Sequence, residues 1–181
     1  MLVETVGVGQ SEIEVASMVD CFVLLALANA GDELQGIKRG VMELVDVVAV
    51  NKADGDNVRR AELAARELRS ALHYLRRRHA AWEPRTLTVS GATGAGLDAL
   101  WQAVLDHRAA LLASSELEAL RREQARRWMW AQIEQGLLAS FRAHPDVAAR
   151  IAAIEADVVC GAVSPTAAAR ALLGRYRSER G

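Results

Sequence analysis

Short, solidly apolar runs alternate with longer amphipathic ones over the first hundred or so residues. The runs Cys21 to Ala28, Val45 to Val50 and Thr86 to Val89 are rich in Val or Leu and each stops at a loop signal. Continuous apolar runs of that length predict strands of a parallel sheet covered on both faces. A fourth run, Met1 to Glu4, predicts the stub of a strand. Between them Asn57 to Arg78 predicts a helix whose apolar stripe is Leu63, Leu68, Leu72 and Leu75, and Leu97 to Ala113 predicts another after a glycine-rich turn. Strand and helix in alternation make this part α/β.

After Ser114-Ser115 the pattern turns wholly helical. Ser115 and Glu118 have capping-box spacing, and Glu116 to Arg142 predicts one long helix carrying Trp128 and Trp130. His144-Pro145-Asp146 breaks it, Val147 to Val159 predicts a further helix ended by Gly161, and Ser164-Pro165 suits the N-cap and first residue of a last helix, Thr166 to Arg177. Two parts are therefore expected, 1–114 and 115–181. The two tryptophans face different sides of their helix, so one is expected in the core and the other at a subunit contact. The arginines of Arg121 to Arg127 read either as a phosphate or nucleic-acid patch or, more ordinarily, as a solvated face paired with Glu118 and Glu123.

Composition narrows the partners. With 181 residues, 51% hydrophobic and 25% charged, the chain can bury one good core. A formal net charge of -1 gives no reason to expect nucleic acid or an anionic membrane as a partner. Cys21 and Cys160 are the only cysteines, far apart and without metal-ligand spacing, so neither a disulfide framework nor a zinc site is expected. No apolar stretch reaches the ~20 residues of a membrane span, and a cytoplasmic setting fits best. Only Lys38 and Lys52 are lysines among 22 basic residues, which singles both out.

Candidate chemistry gathers at loops. Val47 to Asp54 closes a strand with Asn51-Lys52-Ala53-Asp54, the Asn-Lys-x-Asp order that reads guanine. A carboxylate at Asp54 accepts from the guanine N1-H and 2-amino group, which adenine does not supply, the stem of Lys52 covers the base, and Asn51 ties the loop to its neighbours. The competing reading is a plain polar turn. One βαβ unit later, Ser90-Gly91-Ala92 ends the next strand in a turn whose backbone N-H groups suit the guanine O6, or form a simple turn. Adjacent strand ends of an α/β sheet make one crevice, where ligands bind. At Glu4 to Glu12 a glycine-rich loop resembles a phosphate-sensing switch, with Gly7 for backbone approach to a γ-phosphate, Glu4 for a magnesium-bound water and Gln10 for the attacking water. The alternative there is a loop with an N-cap at Ser11.

With these elements in order the sequence resembles the MeaB/ArgK/MMAA family of P-loop GTPases. The likeness is carried by VETVGVGQSE at Val3 to Glu12, AGDELQGIKRG at Ala30 to Gly40, VNKAD at Val50 to Asp54 and RREQARRWMW at Arg121 to Trp130, and it extends over essentially the whole chain. The resemblance implies a partial P-loop NTPase-type parallel sheet followed by an all-helical carboxy-terminal dimerisation arm, hence a homodimer. It implies GTP or GDP with Mg2+ as ligands, and a chaperone that gates cofactor loading of an adenosylcobalamin-dependent acyl-CoA mutase and protects that enzyme. Glu4 to Gln10 would be switch II, and Asp32, Glu33, Gln35 and Lys38 would lie in a further mobile loop, switch III.

The sequence departs from the family at one element: no Gly-x-x-x-x-Gly-Lys-Ser/Thr occurs, so the phosphate cradle is absent. The chain is expected to begin inside a central strand, with Met1 an internal start, a truncated reading frame or an artificial boundary. Catalysis by this chain alone is not expected, and exposed sheet edges would favour another copy or a missing segment. Two readings follow, a GTPase chaperone completed by its other half, or a non-catalytic module that dimerises or holds the mutase. An ATP-dependent transport kinase is disfavoured by Asp54, which suits guanine.

Overall fold

The computed structural model describes residues 1–5, 11–27 and 39–178. Its contacts divide the chain into two compact units, Met1–Gln124 and Ala125–Gly181.

The first unit is α/β. Strands β1 (Val23–Leu27), β2 (Val47–Asn51) and β3 (Arg85–Thr88) form a parallel sheet in the order β1-β2-β3. Val23 lies opposite Val47, and Val47 in turn opposite Arg85. Central β2 is the run the sequence marks best, because its Val47 to Val50 are buried on both faces. Val48 and Val50 pack with Phe22, Ala26 and the helix of Val58 to His73, whereas Val47 packs on the other side with Trp82, Ala103, Leu111 and Leu117. On β1, at the edge of the sheet among the described residues, Leu25 and Leu27 remain exposed.

Helices α1 (Ser11–Met18), α2 (Arg39–Met42), α3 (Val58–His73) and α4 (Leu97–Ala113) surround the sheet, and α5 (Glu116–Ala143) follows. The α4 bounds match the expected ones. Helix α3 departs in two ways. Its buried stripe is Ala61, Ala64, Ala65, Leu68 and Leu72, while Leu63 is 58% exposed; Leu63 and Leu68 are five residues apart, about 140° around a helix, and cannot share a face. The helix also stops at His73, with the Tyr74 N-H turning back to the Ala71 carbonyl. The residues expected to continue it, up to Arg78, instead run to the start of β2, where Arg78 meets Asp46.

Met1 to Thr5 carry no regular structure, and Met1, Leu2 and Val3 are exposed. The expected strand stub is not formed, because no neighbouring strand among the described residues pairs with it. The capping box at Ser115 is also replaced: Ser115 takes φ 62°, and the Glu116 N-H turns to the Ser114 hydroxyl at 3.4 Å.

In the second unit α5 continues from Ala125, followed by α6 (Pro145–Ala148), α7 (Ile151–Val159) and α8 (Pro165–Ser178). The single helix expected over Val147 to Val159 is split at Ala149-Arg150, where Arg150 leaves helical geometry at φ -124° and the preceding turn buries Val147. The Tyr176 ring meets Phe141 and His144 edge-on, and its hydroxyl lies 3.0 Å from Ser140 Oγ. Trp128 and Trp130 are 59% and 50% exposed, so neither packs in the core as one was expected to. Met129, Ile133, Leu137 and Leu138 share that exposure. Nor does Arg121 pair within its own helix; its guanidinium binds Asp20 at 2.6 Å and holds that carboxyl below the usual range.

The Ser164 hydroxyl accepts the Ala167 N-H at 3.3 Å, the N-cap that the sequence predicts. Ser164→Ala should cost about 1 kcal/mol of stability, read as a lower urea midpoint; an unchanged midpoint would show that the cap is dispensable.

Candidate functional site

Two loops leave the carboxyl ends of β2 and β3. In the first, Asn51 is the last strand residue and Lys52 takes φ 61°, a left-handed conformation uncommon outside glycine. That turn leaves Lys52 exposed while the chain re-enters the protein through Ala53, whose N-H binds the Val89 carbonyl at 3.0 Å. Asp54 is extended, at φ -139° and ψ 166°, and begins the 3-10 turn Gly55–Asn57. Its carbonyl accepts the Asn57 N-H, but its carboxylate makes no capping bond. The carboxylate is thereby left for other partners.

The second loop supplies one. Ser90 is fully buried, and its hydroxyl donates to Asp54 Oδ2 while accepting the Thr93 N-H at 3.1 Å. Asn51 Oδ1 accepts two backbone N-H groups, from Lys52 at 2.7 Å and Gly91 at 3.1 Å, and so bridges both loops. The Ser90 N-H goes to Ala95 and the Gly94 N-H to Ser90. Bonds within the site therefore occupy the backbone donors of Ser90, Gly91 and Thr93. Ala92, exposed at the tip, keeps its N-H free of acceptors among the described residues.

Within these loops Asp54 offers a carboxylate, Ala92 a backbone N-H and Lys52 an apolar stem. The guanine edge calls for an acceptor pair for its N-H groups and a donor for its carbonyl. The polar groups of the loops are pre-set by Ser90 and Asn51, so less ordering is needed on binding.

Gly96 fixes the second loop beneath this tip. It adopts φ 77°, and a Cβ there would stand 2.3 Å from the Thr88 carbonyl oxygen. Sequence reading passed over it, although the run Gly91 to Gly96 is the signal that could have found it. Gly96→Ala should destabilise the fold by about 2 kcal/mol or more, combining left-handed strain with a backbone clash. Thermal unfolding checks it, and a shift below 1 °C would remove the constraint.

The remaining expected site residues are not gathered in the same way. Glu4 is exposed on the irregular amino-terminal segment. Gly7, Gln10, Asp32, Glu33, Gln35 and Lys38 lie outside the described residues. Among the described residues no helix is long and apolar enough to cross a membrane.

The family model described as methylmalonyl Co-A mutase-associated GTPase MeaB matches residues 1–146. A putative GTPase of Caulobacter vibrioides is 47% identical over 97% of this chain and 54% of its own length. The mouse mitochondrial methylmalonic aciduria type A homolog is 44% identical over 98% of this chain and 43% of its own, and the Escherichia coli GTPase ArgK is 47% identical over 81% and 44%. A crystal structure described as LAO/AO transport system kinase superposes with a TM-score of 0.73 at 41% identity, covering 95% of this chain and 55% of that one. The chain thus spans about half the length of the curated relatives it matches. Identity at this level over nearly the whole chain, with a family match through residue 146, means that the chain belongs to the MeaB family of methylmalonyl-CoA mutase-associated GTPases.

Proposed function

We propose that this chain forms the guanine-reading part of a GTP-binding, GTP-hydrolysing chaperone for an adenosylcobalamin-dependent acyl-CoA mutase. The observation that carries the reading is the Asp54 carboxylate, held by buried Ser90 next to the Asn51 bridge and the open Ala92 N-H. Asp54 takes the N1-H and 2-amino donors of the base, Ala92 donates to O6, and the Lys52 stem lies over the ring. Adenine presents an acceptor at N1 and an amino group in place of O6, so both contacts fail and polar groups lose their partners.

The proposal assigns the described residues to the base and not to the rest of the nucleotide. No phosphate-loop spacing occurs in the chain, and the described residues offer no cradle for phosphates with Mg2+. Binding of the phosphates, and hydrolysis with it, therefore depends on groups beyond those described. Within the proposal Glu4, Gly7 and Gln10 serve as switch II, with Glu4 reaching Mg2+ through water, and Asp32, Glu33, Gln35 and Lys38 form switch III. GTP turnover would gate cofactor loading of the mutase in the cytoplasm. The exposed apolar residues of α5, from Trp128 to Leu138, support a homodimer through the carboxy-terminal helices.

A fluorescent GTP analogue with Mg2+, displaced by unlabelled GTP, GDP or ATP, tests the reading. Displacement by GTP and GDP but not by ATP is expected. Absence of guanine-selective binding at millimolar nucleotide in a folded sample would favour the second reading, a non-catalytic module acting through its helices.

A further inference from the structure

The strongest unassigned chemistry lies at the amino ends of the strands, opposite the guanine loops. Cys21 stands just before β1 and Asp46 just before β2, while His79 follows the end of α3 and His107 projects from α4. Asp46 and His107 are each 1% exposed, and His79 is also buried. Asp46 Oδ2 is fully engaged, accepting the Phe22 N-H and an Arg78 N-H, both at 2.8 Å. Asp46 Oδ1, His79 Nε2 and His107 Nε2 have no hydrogen-bond partner, although all three are buried.

These atoms converge. His79 Nε2 lies 3.6 Å and His107 Nε2 3.5 Å from Asp46 Oδ1. Those separations exceed the ~2.7–3.2 Å of N-H···O bonds. They match the edge of a tetrahedron around zinc, about 3.3–3.6 Å for ligands at 2.0–2.2 Å. Ligand atoms of Cys21, Asp46 and His107 all lie within 4.8 Å of one another, and His79 Nε2 stands beside this group, next to Asp46 Oδ1. On the far side of one imidazole, His79 Nδ1 faces Glu116 Oε2 at 3.7 Å, and Glu116 is itself held by the N-H groups of Ala80 and Ala81. A carboxylate behind a ligating imidazole is the usual orienting partner of a metal-bound histidine.

We propose that Cys21 Sγ, Asp46 Oδ1 and His107 Nε2 form the core of a structural zinc site that staples the amino end of the sheet, with His79 Nε2 closing on the metal from beside Asp46 as the fourth ligand. On binding, the Cys21 thiol gives its proton to solvent and the thiolate bonds the metal, so one proton leaves for each Zn2+ that enters. Cys21 and Asp46 together balance the metal's two charges, and Glu116 offsets Arg78. Mixed S, N and O donors select zinc over magnesium or calcium. The site is independent of the guanine reading.

Co2+ is the probe. The full 181-residue chain, carrying Cys160→Ser so that Cys21 is the sole thiol, is loaded with Co2+, freed of excess by gel filtration, and examined for metal content and absorption. One ion per chain with a thiolate-to-cobalt charge-transfer band is expected, displaced by Zn2+. Glu116→Gln should weaken binding about tenfold or more while keeping the band, since Glu116 positions a ligand without being one. His107→Gln, checked for folding by circular dichroism, should retain no stoichiometric metal. Lack of retained ion in the parent chain, or retained ion without a thiolate band, would overturn the site. Equal retention by folded His107→Gln would overturn it as well.

Discussion

Asp54→Ala should lower affinity for GTP and GDP about 100-fold and leave ATP binding unchanged, so that guanine selectivity disappears. A hydrogen bond to a charged group contributes about 1.5–3 kcal/mol, and each 1.4 kcal/mol is tenfold. Asp54 is the carboxylate that the Ser90 hydroxyl holds where the Asn51 amide draws the two loops together, whereas Asp56 of the same loop is exposed in the 3-10 turn. Its loss also strips the buried Ser90 hydroxyl of its acceptor, a local cost of about 1 kcal/mol. A melting curve measured beside the competition titration separates the two effects. Reduced stability with selectivity intact would mean that Asp54 only braces the loop.

Asp46→Ala should be the most destabilising single substitution near the sheet, at about 3–5 kcal/mol, because removing one member of a buried ion pair strands the other. The side chain of Arg78 is nearly buried, and among the described residues it reaches, besides Asp46, only backbone carbonyls, Ala16 at 2.7 Å first among them. The Phe22 N-H at the start of β1 would lose its acceptor too. Trp82 binds the Asp46 carbonyl rather than its side chain, at 2.8 Å, and stacks under the Arg85 guanidinium, so it should hold. Urea unfolding in the presence of a chelator reads this ion pair apart from any bound metal. A loss under 1 kcal/mol would show that the surrounding backbone, not Asp46, positions Arg78.

Burial shapes the ionisation of this region as well. It pushes the Cys21 thiol up to about 12, with Asp46 adding to the effect, so that the thiol is protonated at neutral pH. Burial lowers His79, and the neighbouring Asp46 opposes that shift. Sequence neighbours alone do not predict either environment, since the leading charged neighbour of both is Asp46, far away along the chain.

By itself the sequence determined the parts whose physics is local. Val47 to Val50 spelled a strand covered on both faces because every residue in it is apolar, and Leu97 to Ala113 spelled a helix bounded by a glycine turn and a serine. The order Asn51-Lys52-Ala53-Asp54 and the turn at Ser90 were legible because their chemistry lies in adjacent residues. Tertiary structure alone decided what distant groups settle between them. It drew Ser90 onto Asp54 across 36 positions, closed α3 early so that Arg78 reaches Asp46, and turned Leu63 outward. It also converged Cys21, Asp46 and His107, with His79 beside Asp46, residues that no spacing rule connects, because parallel strands bring residues that precede different strands to one end of the sheet.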